Sequence, residues 1–203
     1  MYQKYSEKFK REVTTIFPGE YYVTANYEII STVLGSCIAV CLFDSVSEVA
    51  GMNHFMLPIQ NPTLNTFSKE LDDPSNFYNN QLRYGTVAME TLIGELQKKG
   101  AQRKYLKAKV FGGGNIIKAA MPQMTIGTRN IQFINAYLAF EDIEVVSQDT
   151  GENYGRKIFF LTENYKIYMK RLTMTHAQKI EKITDTYHKQ ILAKNQSGMV
   201  DLF

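Results

Sequence analysis

Leu34-Gly35-Ser36-Cys37-Ile38-Ala39-Val40-Cys41-Leu42-Phe43-Asp44-Ser45-Val46-Ser47-Glu48-Val49-Ala50-Gly51-Met52-Asn53-His54-Phe55-Met56-Leu57-Pro58 is the stretch from which the rest of this 203-residue chain can be read. Residues 37–43 are a strand-like apolar run, residues 44–48 are polar, and residues 49–57 resume apolar character until Pro58 stops them. The simplest structure for that pattern is a β-hairpin. Working outward, residues 21–26 and 28–33 are rich in β-branched and aromatic side chains and read as two strands before it. After Pro58 the chain turns polar, with two further prolines and seven Asn or Asp residues between Ile59 and Gln81, which reads as a long surface excursion.

Beyond that excursion, Tyr84, Val87, Ala88, Leu92, Ile93 and Leu96 recur at helical spacing and Gly100 stands where a C-terminal cap is expected, predicting a helix over 84–99. A short strand over 107–111 should empty into Gly112-Gly113-Gly114-Asn115. Thr128 is placed to cap a second helix carrying Ile131, Ile134, Tyr137 and Leu138. Strands follow over 143–147, 157–161 and 165–172, separated by turns at Asp149-Thr150-Gly151 and Thr162-Glu163-Asn164. Ala177, Ile180, Ile183, Tyr187 and Ile191 then predict a basic amphipathic helix before a loose end from Asn195 to Phe203.

The composition narrows the class. With 44% hydrophobic and 21% charged residues, 5 Pro and 13 Gly, the chain is a globular domain and neither disordered nor collagen-like. The longest apolar run, Ile38 to Phe43, is far short of the roughly 20 residues of a membrane helix. The first residues are charged rather than secretory in pattern, so a cytoplasmic protein without direct membrane insertion is expected. The formal charge of +3 is concentrated: residues 165–194 carry seven Lys or Arg against two acids, leaving the remainder mildly acidic. A basic tail rather than a basic domain argues against a nucleic-acid partner. Two cysteines and three histidines supply neither a disulfide framework nor a zinc-ligand pattern.

The sharpest chemical feature is Cys37 with His54, seventeen residues apart on the two arms of the hairpin. If they pair directly, Asp44 faces Ser47 and Ser45-Val46 is a two-residue loop, a normal hairpin length though without Asn-Gly or Gly chemistry. Opposed residues on one sheet face have Cβ atoms roughly 4.5–5.5 Å apart, close enough for imidazole to take the thiol proton and make a nucleophile that attacks acyl carbons. A small buried cysteine beside a satisfied histidine is the ordinary alternative. Cys37 follows Gly35-Ser36 at a strand start, where backbone N–H groups could face an oxyanion, whereas Cys41 lies mid-run and reads as core.

Leu34-Gly35-Ser36-Cys37 with Ala39-Val40-Cys41, and His54-Phe55-Met56-Leu57-Pro58, resemble the signature segments of the CheD family of chemoreceptor glutamine deamidases. The resemblance continues in order through Arg83-Tyr84-Gly85 with Val87-Ala88-Met89-Glu90, Lys109-Val110-Phe111-Gly112-Gly113-Gly114-Asn115, Ile126-Gly127 with Arg129-Asn130, and Asp149-Thr150-Gly151 with Gly155-Arg156. It covers about residues 21–172.

The resemblance implies an α+β fold of packed β-sheets flanked by helices, a cysteine-hydrolase-like sandwich spanning 1–172, with the basic C-terminal amphipathic helix and tail at 173–203. It implies a cytoplasmic protein-glutamine glutaminase that converts selected chemoreceptor glutamines to glutamate through a cysteine thioester, with no cofactor and no metal. Cys37 would be the nucleophile and His54 its base. The family's third member is a hydroxyl residue six positions before the cysteine, normally Thr; here that position is Ser31, and Thr32 beside it would face the other side of the strand. Implied partners are chemoreceptor cytoplasmic domains and a CheC-type phosphatase. A non-catalytic adaptor docking that phosphatase, and a receptor glutamate methylesterase, are the competing readings. The Gly112–Gly114 run could admit a substrate side chain or be only a turn, and it lacks the spacing of a phosphate loop. Asp149 and Arg156 could gate the site or pair across a turn, and Leu202-Phe203 could be a docking motif or a frayed end.

Overall fold

The structure, a computed structural model, describes residues 1–57, 84–115 and 125–172. Ten strands and two helices are described: β1 (Tyr2–Ser6), β2 (Arg11–Thr15), β3 (Glu20–Thr24), β4 (Ile29–Leu34), β5 (Ile38–Asp44), β6 (Val49–Phe55), α1 (Gly85–Lys98), β7 (Leu106–Gly112), α2 (Ile126–Phe140), β8 (Glu144–Thr150), β9 (Gly155–Leu161) and β10 (Lys166–Leu172). A short 3₁₀ turn at Arg103–Tyr105 leads into β7. Among these residues no helix is long and apolar enough to cross a membrane.

The strands form two five-stranded sheets. The first runs β1-β2-β4-β9-β10 and the second β3-β6-β5-β7-β8. Ile30, Leu34, Ile158 and Phe160 of the first sheet pack against Ala39, Cys41, Phe43, Ala50, Met52 and Phe111 of the second, which is a sheet-on-sheet interior. The opposite face of the second sheet carries Ile38, Val40, Leu42 and Phe55, and both helices lie on it. Helix α1 buries Ala88, Met89, Leu92, Ile93 and Leu96, one apolar stripe at three- and four-residue spacing. Each of its large buried side chains contributes roughly 1.5–3 kcal/mol, so α1 is held by tertiary burial more than by its own propensity. Two packed sheets with helices against one of them are the α+β arrangement expected.

Several boundaries are corrected. The charged N-terminal stretch forms a hairpin, β1 with β2, whose second strand adds parallel to β4 through Thr15 opposite Ser31. Helix α2 is capped by Thr125, whose side chain accepts from the Thr128 N–H at 3.1 Å; Thr128 is the recipient, not the cap. Strand β8 runs on through Asp149 and Thr150, because it pairs parallel with β7 up to Gly112. The expected C-terminal amphipathic helix, Leu202-Phe203 and the expected excursion over 59–81 lie outside the described residues.

Candidate active site at the end of the central hairpin

The hairpin of β5 and β6 is present, but its register differs from the expectation by two residues. His54 lies opposite Ala39, and Asp44 opposite Val49, leaving a four-residue loop. The cause is Asp44. Its Oδ1 accepts from the N–H groups of Val46 (2.8 Å) and Ser47 (3.3 Å) and its Oδ2 from Gln102 N–H at 2.9 Å, while Glu48 takes a left-handed φ of 56° to close the loop. Burial pushes the Asp44 pKa up, but these hydrogen bonds outweigh it and hold the carboxyl below its ordinary range. An even-numbered shift preserves the sheet face, so Cys37 and His54 remain on one side, now as diagonal neighbours.

That side is the interior between the sheets. Alternation along β6 sends Asn53 toward α1, where its Nδ2 donates to Ala88 O at 3.0 Å, and sends His54 toward the first sheet. There His54 Nδ1 lies 2.8 Å from Thr32 Oγ1, and Thr32 Oγ1 also donates to the Ile16 carbonyl at 2.8 Å. A hydroxyl has one hydrogen. With it given to Ile16, Thr32 must accept from His54, which places the imidazole proton on Nδ1 and leaves Nε2 as an unprotonated acceptor. His54 is almost wholly buried, and burial lowers its pKa from 6.5 to about 3, so the ring is neutral around pH 7. Its Nε2 has no hydrogen-bond partner among the described residues.

The hydroxyl against His54 is therefore that of Thr32, not Ser31. Thr32 shares its strand face with Ile30 and Leu34, which point between the sheets; Ser31 points the opposite way, and its buried Oγ finds no partner among the described residues. Ile16, the residue after β2, was invisible as a participant because a backbone carbonyl carries no sequence signature.

Cys37 immediately precedes β5, is partly exposed, and packs against the inter-sheet cluster that Ala39 and Cys41 help to form. Its segment is held by backbone bonds: Gly113 N–H donates to Cys37 O and Gly114 N–H to Gly35 O, each at 2.8 Å. The approach is so close that a Cβ on Gly112, whose φ is 114°, would stand 2.1 Å from Cys37 O. The glycine run thus cradles the cysteine segment. Asp149 and Arg156 pair across the turn behind it. Arg156 Nε lies 2.6 Å from Asp149 Oδ1, its Nη1 donates to Gly151 O at 3.0 Å and Tyr154 O at 3.2 Å, and its side chain is fully buried. Gly151 N–H in turn donates to Gly112 O at 2.9 Å, so this ion pair braces the cradle.

Comparison with known proteins follows the same line. A family model described as CheD, chemotactic sensory transduction, matches residues 68–171. A protein of Methylobacillus flagellatus named "Probable chemoreceptor glutamine deamidase CheD" is 40% identical over 199 residues, covering 98% of this chain and 93% of that protein. The chain belongs to the CheD family. A CheD relative of the same printed name from Thiobacillus denitrificans is also 40% identical with the same coverage, and one from Shewanella oneidensis is 39% identical over 98% of this chain and 91% of its own length. The CheD family match begins downstream of Cys37 and His54, but the alignments with these relatives leave out only a few residues and so include both.

Proposed function

We propose that this chain is a chemoreceptor glutamine deamidase, a protein-glutamine glutaminase in which Cys37 is the nucleophile, His54 the general base and Thr32 the residue that holds His54. The observation that carries the residue assignment is the Ile16–Thr32–His54 chain of hydrogen bonds, which leaves Nε2 as a neutral acceptor on the face that Cys37 shares. Family membership and the names of the relatives support the substrate class.

The chemistry follows from these atoms. His54 Nε2 takes the Cys37 proton as Sγ attacks the glutamine side-chain carbonyl carbon, giving a tetrahedral oxyanion. His54 returns the proton to the amide nitrogen, ammonia leaves, and a thioester remains. Water then attacks that thioester with His54 again accepting the proton, and glutamate and the Cys37 thiol are released. Burial disfavours the imidazolium, so proton transfer accompanies attack rather than preceding it as a standing ion pair. Thr32 Oγ1, accepting from Nδ1–H, keeps the ring in the tautomer that this sequence of steps needs.

The deamidase unit is taken as 1–172, in the cytoplasm, acting on receptor cytoplasmic domains. A CheC-type phosphatase as a docking partner is separable from catalysis, since Cys37→Ala should abolish turnover and spare docking. The test is to incubate the protein with a receptor cytoplasmic fragment and follow conversion of glutamine to glutamate by peptide mass spectrometry, beside Cys37→Ala and His54→Ala. Conversion by the unaltered chain alone is expected; equal conversion by Cys37→Ala would overturn the assignment.

A further inference from the structure

Asn130 is fully buried on the face of α2 that also carries Gly127, Ile134 and Leu138, a face where an apolar residue would be ordinary. Its Nδ2 donates two hydrogen bonds, to Ser36 O and to Met56 O, both 2.9 Å. Since both partners are carbonyls, the amide can have only one orientation, with the amino group toward them. Its Oδ1 is left buried without a partner among the described residues, a desolvation cost that a leucine would not incur.

The two carbonyls are placed tellingly. Ser36 is the residue before Cys37, and Met56 is the second residue after His54. The β5–β6 ladder ends at Ile38 opposite Phe55, one residue short of Met56 on one arm and two short of Ser36 on the other. Beyond that last rung no ladder pair joins the two arms, and Asn130 supplies in side-chain form a link between them. The start of α2 is held in place for this: a Cβ on Gly127 would stand 2.4 Å from Gly113 O, in the same glycine run that bonds Cys37.

We infer that Asn130 is a positioning residue for the reaction proposed above, on which this inference rests: it clasps the cysteine arm to the histidine arm and thereby sets the reach from Cys37 Sγ to His54 Nε2. It touches neither substrate nor reacting atom. Without it, Cys37 keeps its neighbours but loses its fixed distance to the base, and displacements of about 1 Å in such an arrangement cost on the order of 100-fold in rate.

The experiment compares Asn130→Leu and Asn130→Ser with the unaltered chain and His54→Ala. Two readouts are taken: deamidation of a receptor fragment, resolved into kcat and KM, and the pH profile of Cys37 alkylation by iodoacetamide. Asn130→Leu is expected to lose roughly 10- to 100-fold in kcat with KM within about threefold, and its alkylation profile to move toward that of His54→Ala. Asn130→Ser, which keeps one donor, should recover part of both and serves if Asn130→Leu does not fold. A merely structural role would lower the thermal midpoint while leaving the alkylation profile of the folded protein where it was. That result, or unchanged kcat in both variants, overturns the inference. Alkylation requires no receptor, so failure of every chain to deamidate would count against the deamidase reading while the alkylation profiles still decide the role of Asn130.

Discussion

Cys37 and Cys41 are four residues apart, face the same side of one hairpin arm and pack into the same inter-sheet cluster, yet they occupy opposite chemical situations. Cys41 sits mid-strand, opposite Met52 on one side and Lys109 on the other, with no exposed surface. Burial pushes its thiol far above the ordinary cysteine range, with the Lys109 charge pulling only slightly the other way. Cys37 stands one residue outside the strand, partly exposed, in a segment fixed by Gly113, Gly114 and Asn130 rather than by ladder pairs. What separates the two is the place of Cys37 at the rim of the sheet, partly exposed, where side chains and turns rather than ladder pairs set its position.

The largest test of that contrast is to remove each thiol. Cys37→Ala should lose at least about 1,000-fold in deamidation, whereas Cys41→Ala should stay within roughly threefold and lose about 1 kcal/mol of stability to the small cavity it leaves. Steady-state rates and urea melts read the two. Comparable activity losses from both substitutions would break the contrast.

A smaller effect sharpens the histidine side. Thr32→Val keeps the shape of the side chain but removes both the acceptor for His54 Nδ1–H and the donor to Ile16, and should lower kcat roughly 10- to 100-fold. Ser31→Ala removes a hydroxyl that meets nothing described and should leave kcat within about twofold. Reversed results would return the positioning role to Ser31.

The strand faces of these two neighbours mark where the sequence was legible and where it was not. The hairpin, α1, and the strands after β7 announced themselves through apolar periodicity and turn residues. Strand β4, Ile-Ile-Ser-Thr-Val-Leu, did not reveal its faces, because it is buried on both sides and its hydrophobic pattern never alternates. Register failed for a different reason: Asp44 organises a four-residue loop through backbone N–H groups, one of them Gln102, 58 residues away. Strand β1 at the sheet edge and β2 beside it carry Lys4, Arg11 and Glu12 on exposed or half-exposed positions, so no apolar period betrayed them. Asn130 was quoted for its resemblance alone, since a buried asparagine on a helix face has no local pattern that announces its two carbonyl partners.

The last effect is one of pH on stability. His54 has a folded pKa lowered from 6.5 to about 3, so between those values the unfolded chain binds a proton that the folded protein does not. Stability contributed by the neutral ring is complete above about pH 6.5 and falls as the medium is acidified, by about 1 kcal/mol for each pH unit, down to about pH 3. His54→Gln should flatten that part of the profile in chemical denaturation measured between pH 7 and 4. An unchanged slope would mean that the imidazole is not held neutral by burial.

The central claim, that the rim cysteine rather than the core cysteine carries the acyl group, is tested most directly by acid-quenching the protein during turnover of a receptor fragment. The acylated peptide is then fragmented between Ile38 and Val40. The account predicts a receptor-derived thioester on Cys37 that appears and decays with glutamate formation and is absent from Cys37→Ala. Continued deamidation with no acyl group on Cys37, or an acyl group on Cys41, would contradict it.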